Sequence, residues 1–462
     1  MQADHIVSHN VSATTTVAFS CLLAGMVLAL ALEEKIHAKK SLITGTFAVL
    51  CMFLAAACGV LPLGPISNSF GQHLHLPVYI AGVDWEVIAV IVGSSLFVDI
   101  TSRSGLFTWI ALKLTKASKG DPVKLMYYYG GLTVVFSAFL NNVTATIIVG
   151  SLTVVSLDKL NRRSQLLGFL IIEGLLTNIG GLLTLISSVP NIIVGNAAGI
   201  SFVTFFIKSA PYVLIASVVT VLLGLKIFKI HKLASEEEKI EAAQLVEGFD
   251  ENDGIRSFRF FYISAVSFVL LIGLFATTAN IPYLQDLGLG FVALSFGLLA
   301  LWAYKHQVDE FYSGLDWDLI FFFITLFVVI NTMEHAHVLQ WIGNGIETVI
   351  GLGPTVGTGG LLLASAVASS VTDNIPLAAV LAKILALRTP AISPDSPLWW
   401  SVIFGANLGG NITPIGSAST VVAVTLMQKH KLGVSFGKFV KTALPFAVVQ
   451  ISLAVVFVLL FL

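Results

Sequence analysis

The sequence predicts an all-α polytopic membrane protein with inverted-topology repeats, each containing a re-entrant hairpin and a broken transmembrane helix. Three observations carry this prediction. The 462 residues are 56% hydrophobic and only 11% charged, far from the balance of a soluble domain. A stretch occurs twice: Thr177-Asn178-Ile179-Gly180-Gly181-Leu182-Leu183-Thr184 returns 229 positions later as Ala406-Asn407-Leu408-Gly409-Gly410-Asn411-Ile412-Thr413. Around it, Asp84-Trp85-Glu86 matches Asp316-Trp317-Asp318, Trp109 matches Trp341, and Asn141-Asn142 matches Asp373-Asn374, all at a spacing of 232.

In chain order, runs of about 20 apolar residues suffice to cross about 30 Å of hydrocarbon. Full spans are predicted at 12–32, 42–62, 84–101, 165–194, 203–225, 258–278, 287–304, 317–333, 398–427 and 438–462. The polar start carries no Lys or Arg before the first run, so that run is expected to be a retained span rather than a signal peptide. Cys21, Cys51 and Cys58 fall in the first two runs and are expected to pack as small apolar residues. Runs 123–157 and 355–387 are too long for one crossing and too short for two, and each has a polar centre, so each is expected to enter and return as a hairpin. The spans at 165–194 and 398–427 contain the glycine pairs. Ser187-Ser188-Val189-Pro190-Asn191 follows in one, and Pro414, Gly416 and Ser417 follow in the other, so both are expected to unwind near the middle. Irregular backbone at that depth is tolerated where it is buried in protein or lines a cavity.

Five crossings separate the two copies, and an odd number makes them inverted. The expected layout is two N-terminal spans outside the repeat (1–83), a first repeat (84–225), a linker (226–259), connecting spans (260–315) and a second repeat (316–462). The two N-terminal spans would serve as scaffold or as a homodimer contact. Loops on one side hold 22 of the 25 Lys and Arg residues, with only Lys208, Lys383 and Arg388 elsewhere. The positive-inside rule makes that side cytoplasmic and puts both termini outside the cytoplasm. The linker, with Glu236-Glu237-Glu238 and Asp250-Glu251-Asn252-Asp253, reads as a solvated connection.

The candidate site collects the polar residues at the interruptions. The tips offer Asn141, Asn142 and Thr144, then Thr372 and Asn374. The broken spans add Asn178, Thr184, Ser187, Ser188 and Asn191, then Asn407, Asn411, Thr413, Ser417 and Ser419, beside the helix-break glycines Gly180, Gly181, Gly409 and Gly410. Amides, hydroxyls and freed carbonyls suit a hard cation or a neutral hydroxylated solute, whereas helix N-termini favour a partly negative oxygen. Paired broken spans in two halves point to a secondary transporter with a midplane site. Asp373, at a tip, and Glu173, in an apolar stretch one turn before Asn178, are the candidates for proton or sodium coupling, because an ionised carboxylate in the bilayer needs a partner, a proton or water. Asp99 is expected to pair locally with Arg103. His335 and His337 lack the helical spacing to face one zinc together and are expected at the interface.

These motifs resemble the ion transporter superfamily, and within it the arsenite/antimonite permeases and the melanosomal P protein. The likeness rests on Phe139-Leu140-Asn141-Asn142-Val143-Thr144, Glu173 ahead of Asn178, Asn178-Ile179-Gly180-Gly181, Pro190-Asn191, Asp373-Asn374-Ile375-Pro376 and residues 405–417, and covers roughly 84–462. Two positions depart from it. Asn141 stands where many relatives carry Asp, and Ser187-Ser188-Val189 replaces a Gly-Asp/Thr-Pro pattern, which shifts the expected coupling onto Asp373. The resemblance implies an inner-membrane protein with no bound cofactor, proton or sodium coupling, and for arsenite permeases a cytoplasmic ATPase subunit. The expected function is arsenite or antimonite efflux in exchange for protons, with a sodium/proton antiporter second and a dicarboxylate symporter third, since the tips themselves hold no basic residue. A passive channel, distinguished by flux that neither saturates nor couples, is a further reading. No nucleophile with a base and no facing aspartates favour an intramembrane hydrolase, and no basic patch suggests nucleic acid.

Overall fold

The computed structural model describes residues 11–61, 65–67 and 71–462. Apart from a two-residue antiparallel pair, Ile66–Ser67 with His73–Leu74, the regular structure is helical. The first part contains α1 (Ala13–Ala31), α2 (Lys40–Ala57), α3 (Trp85–Arg103), α4 (Leu106–Ser118), α5 (Pro122–Phe139), α6 (Asn142–Lys159), α7 (Leu166–Gly180), α8 (Val189–Ala198) and α9 (Phe202–Ile227). After α10 (Glu236–Glu247) come α11 (Phe258–Thr277), α12 (Pro282–Leu301), α13 (Trp317–His335), α14 (Val338–Ile350), α15 (Pro354–Val371), α16 (Asn374–Ala386), α17 (Pro397–Gly409), α18 (Ala418–Lys429) and α19 (Phe436–Phe461).

Nine helices among the described residues are long and apolar enough to cross a membrane. Eight are the continuous spans read from the sequence. The ninth is α15, one arm of the second hairpin, whose 18 residues make about 27 Å of helix. The hairpin arms are therefore nearly as long as the hydrocarbon is thick. The span expected from 287 starts earlier, at Pro282, because α12 continues through a kink at Gly288, where φ is +74°. Both broken spans break where expected, after Gly180 and after Gly409.

The repeated Asp-Trp-acid triplet has a mechanical reason. Asp84 caps α3 by accepting from Glu86 N and Val87 N at 3.1 and 3.2 Å, and Asp316 caps α13 by accepting from Leu319 N at 3.0 Å. Trp85 and Trp317 each donate the indole N–H to the carbonyl five residues back, Ile80 and Tyr312. The third residue reaches across the molecule: Glu86 Oε1 accepts from Leu289 N of α12 at 3.0 Å, and Asp318 Oδ1 accepts from Ser41 Oγ of α2 at 2.5 Å. The result is two long, matched helix pairs, α3 on α12 and α13 on α2. In the first, Gly93 lets the backbones meet, since a Cβ there would lie 2.3 Å from the Ala293 carbonyl carbon. The second N-terminal span is thus packed into the body of the protein, with Thr44 and Thr325 hydroxyls 2.6 Å apart.

Three features differ from the sequence reading. α4 and α14 are separate amphipathic helices carrying the matched Trp109 and Trp341, where only connecting loops were expected. Their period was masked by the basic residues around Trp109 and by glycines near Trp341. Arg103 does lie near Asp99, at 3.6 Å, but its shorter ion pair is to Glu310, at 2.7 Å. The linker is exposed over most of its length, but it is more than a loose connection: α10 and its flanks fold back as a strap across the open ends of the first hairpin. Ala242, Val246 and Phe249 are buried, Leu233 N donates to Asp121, and Lys159 sits 3.9 Å from the Phe249 ring centre. Lys113 and Lys116 of α4 both pair with Glu251.

Candidate functional site

Each hairpin is stitched to the first half of its own broken span, and the stitches repeat. Ser137 Oγ donates to Thr177 O and Ser369 Oγ to Ala406 O, both at 2.6 Å. Thr184 Oγ1 donates to Ala138 O, and Thr413 Oγ1 to Ser370 O. Gly180 and Gly409 are where the hairpin backbone touches: a Cβ on Gly180 would stand 2.7 Å from Val134 Cα, and one on Gly409 2.3 Å from Ala366 O. Both are still helical, so they serve close approach, and the helices end at Gly181 and Gly410.

The second halves cross over. α8 packs on α16 and α17 of the other repeat, and α18 packs on α6 and α7. At these crossings the expected residues meet. Asn178 Nδ2 donates to Asn411 Oδ1 at 2.8 Å and to Ser417 Oγ at 3.0 Å, while its Oδ1 accepts from Ser419 Oγ at 2.9 Å. Reciprocally, Asn407 Nδ2 donates to Asn191 Oδ1 at 2.9 Å, and its Oδ1 accepts from Ser188 Oγ at 2.8 Å. The carbonyls freed by unwinding are also held: Asn191 donates to Gly181 O and Thr184 O, as does Ser187, and Thr420 donates to Gly410 O. Asn178, Asn191, Asn407 and Asn411 are fully buried. A buried amide left unpaired costs about 1–3 kcal/mol, so this completeness is what makes a broken span affordable in a membrane interior. Chemically, the clasp is an array of neutral donors and acceptors that can exchange partners without moving charge.

The tips stand apart from the clasp. Asn142, through Ser137, is one bond from the α7 backbone, and its amide lies against Gly181. Asn141 accepts from Val143 N at 2.7 Å and caps α6, and Asp373 does the same for α16 through Ile375 N at 3.0 Å. Thr144 is half-buried one turn into α6, Thr372 Oγ1 donates to Ala368 O in its own helix, and Asn374 is buried at the start of α16. Asp373 also pairs with Lys40, the first residue of α2, so its tip reaches the end of that span instead of stopping at mid-depth.

Glu173 is 2% exposed, with Thr153 Oγ1 donating to its Oε1 at 2.5 Å and no hydrogen-bond partner at Oε2. No cation pairs with it among the described residues. Glu334 pairs with Lys383 at 3.0 Å, and His335 Nδ1 contacts Asn331 O, at the end of α13.

Sequence reasoning missed Lys40, Thr153, Thr420 and Gln450. Gln450 extends the clasp, accepting from Asn411 at 2.8 Å and donating to Thr220 at 3.0 Å. As the one amide in the last apolar run it carried a usable signal. Lys40 carried none, because it looks like an ordinary basic residue at a span end.

Residues 27–405 match a family described as citrate transporter. The chain belongs to the citrate transporter family. This citrate transporter family member is 28% identical over 413 residues to an uncharacterized transporter of Mycobacterium tuberculosis, across 87% of this chain and 91% of the relative. It is also 24% identical over 538 residues to the human P protein, across 98% of this chain but 63% of that protein, so it spans under two-thirds of the human relative. Among solved structures, the YdaH transporter of Alcanivorax borkumensis shares the fold, with a TM-score of 0.57 at 12% identity over 91% of this chain and 97% of that one. The chain is a multi-pass membrane transporter.

Proposed function

We propose that this family member is a secondary active transporter that expels a small neutral hydroxylated solute, the trivalent hydroxide of arsenic or antimony, in exchange for protons by alternating access. It would lie in the cytoplasmic membrane with its basic loops inside and both termini outside. The supporting observation is the reciprocal clasp, in which Asn178 and Asn407 each bind the second half of the other broken span through uncharged groups. Such groups suit a solute that offers hydroxyls and no charge. Opening one crossing while the other stays closed would expose them to one side at a time.

Glu173 carries the coupling proton in this reading. A carboxylate near the bilayer centre costs about 3 kcal/mol unless it is paired, protonated or hydrated. Asp373 stands at the end of the α2 span and is paired with Lys40, whereas the buried Glu173 has no cation beside it among the described residues. A second reading is transport of a carboxylate anion, as the family's description implies. It is supported by the family match over residues 27–405; Lys40 does stand at a tip, but its ammonium is already paired with Asp373.

Everted vesicles energised with a proton gradient test both. Arsenite or antimonite accumulation that collapses with the gradient, and loses its pH dependence in Glu173→Gln, is the expected result. Citrate flux without metalloid flux would replace the first reading with the second, and sodium-driven alkalinisation alone would replace both with sodium/proton exchange.

A further inference from the structure

The two halves share their stitching but not their charges. Through the Glu86–Leu289 and Asp318–Ser41 contacts, Ser41 of α2 corresponds to Leu289 of α12, so Lys40 corresponds to Gly288. At the tips, Asp373 corresponds to Asn141. One tip therefore holds a carboxylate with an ammonium on it, whereas at the corresponding positions the first half has an amide, Asn141, and a glycine, Gly288. Gly288 has φ +74°, a conformation that a side chain adopts only with strain. Both members of the charged pair are replaced together, which marks them as one unit.

The helix that carries Lys40 does not account for this unit. Lys40 is in the first turn of α2, and a positive charge is the wrong sign for a helix N-terminus. Lys39 beside it is exposed, while Lys40 turns inward onto an Asp373 side chain only 8% exposed. The charged groups around the ammonium are Asp373 from the hairpin tip, Glu33 at 3.8 Å, and Asp318 from the first turn of α13, which holds the adjacent Ser41. Three carboxylates, one of them the helix-capping Asp373, form the kind of oxygen-rich surround that binds a hard monovalent cation.

We propose that Lys40 is a tethered cation: its ammonium fills a monovalent-cation site, centred on Asp373 and flanked by Asp318 and Glu33, that the first half of the molecule does not possess. The site is closed to free sodium while Lys40 is in place, and coupling by an external cation at this tip requires the ammonium to leave. The role of the site in transport rests on the reading of the chain as a coupled transporter. Its occupancy does not, and can be measured without any solute.

The test is cation binding to the purified full-length protein in detergent. Melting temperature and bound radioactive sodium are followed across a sodium chloride series at constant ionic strength in choline chloride. Wild type is expected to show no saturable sodium effect, Lys40→Met a saturable rise in melting temperature with bound sodium, and Lys40→Met/Asp373→Asn, which copies the neutral half, no response. Should Lys40→Met fold poorly, sodium in the extraction buffer is expected to restore its yield where choline does not. A sodium response equal in wild type and Lys40→Met, one that survives in the double variant, or a failure of sodium to bind or rescue Lys40→Met overturns the proposal. Loss of metalloid transport with these cation results intact would overturn only the substrate reading.

Discussion

Asn178 and Asn141 are both tip-or-break asparagines in the sequence, yet they do different physical work. Asn141 caps one helix at a half-open tip, and replacing it with Ala is expected to cost about 1 kcal/mol, the usual worth of a cap. Asn178 bonds the buried side chains of Asn411, Ser417 and Ser419, and its loss strands the Asn411 side-chain carbonyl, while Ser419 keeps only Ser417. Hydrogen bonds inside membranes average only about 0.6 kcal/mol, because the unfolded chain also finds partners. Stranded buried groups cost more, so Asn178→Ala is expected to lose about 2–3 kcal/mol. Unfolding of the two variants in mixed micelles compares them directly, and equal losses would mean that the clasp is slack. Residue identity was legible here, since every clasp asparagine was picked out from the repeat. Whether an amide faces a solute or another amide was not, because that depends on a partner more than two hundred positions away.

At the scale of elements, the strap formed by α10 and its flanks is the segment whose sequence was most misleading. Its charge runs describe a solvated helix, and the buried face is small, with Ile230 and Leu233 before the helix, Ala242 and Val246 on it and Phe249 after it. What seats it is the first hairpin's open end, with Lys113, Lys116, Asp121 and Lys159 as anchors. Hydrogen bonds from Lys116 and then Lys113 pull the Glu251 carboxyl down to about 2 from its ordinary 4.5. A depressed acid contributes fully above its unfolded value and loses that contribution as pH falls towards the folded one. Protection of 236–253 from hydrogen exchange is therefore expected to hold level from pH 8 to about 5 and to weaken between about 4.5 and 2. Glu251→Gln should be less protected at neutral pH and lack that acidic decline. A decline of the same size in the variant would assign it to other carboxylates.

For the whole molecule, the packing separates a frame from the parts that cross. The pairs α3 with α12 and α2 with α13 are long and close, whereas the clasp joins the halves through hydrogen bonds between broken-span residues. If alternating access opens the crossings and leaves the frame intact, cross-links should sort by location. In a background with Cys21, Cys51 and Cys58 replaced, Thr44→Cys/Thr325→Cys, across hydroxyls 2.6 Å apart in the frame, is expected to oxidise and keep transport. Ser188→Cys/Asn407→Cys, across a clasp bond of 2.8 Å, is expected to stop flux on oxidation and recover it with reductant, provided the reduced pair still transports. Flux that survives the clasp cross-link, or is lost with the frame cross-link, would reverse the assignment of moving parts.

What the sequence determined by itself was most of what local period and repetition govern, the two amphipathic helices α4 and α14 excepted. Apolar run length set the spans, the glycine pairs located both breaks, the Asp-Trp-acid triplets marked matched helix starts, and the odd number of crossings required inversion. These follow from hydrophobic burial and backbone hydrogen bonding, which act over a few residues and leave a readable pattern. The tertiary structure alone decided which groups meet. It set Lys40 on Asp373, joined Gln450 to Asn411, left Glu173 with Thr153 and no cation among the described residues, and folded the strap onto the hairpin. Such pairings depend on how helices distant in the chain are brought side by side. A charge or an amide carries no local mark of the partner that will satisfy it.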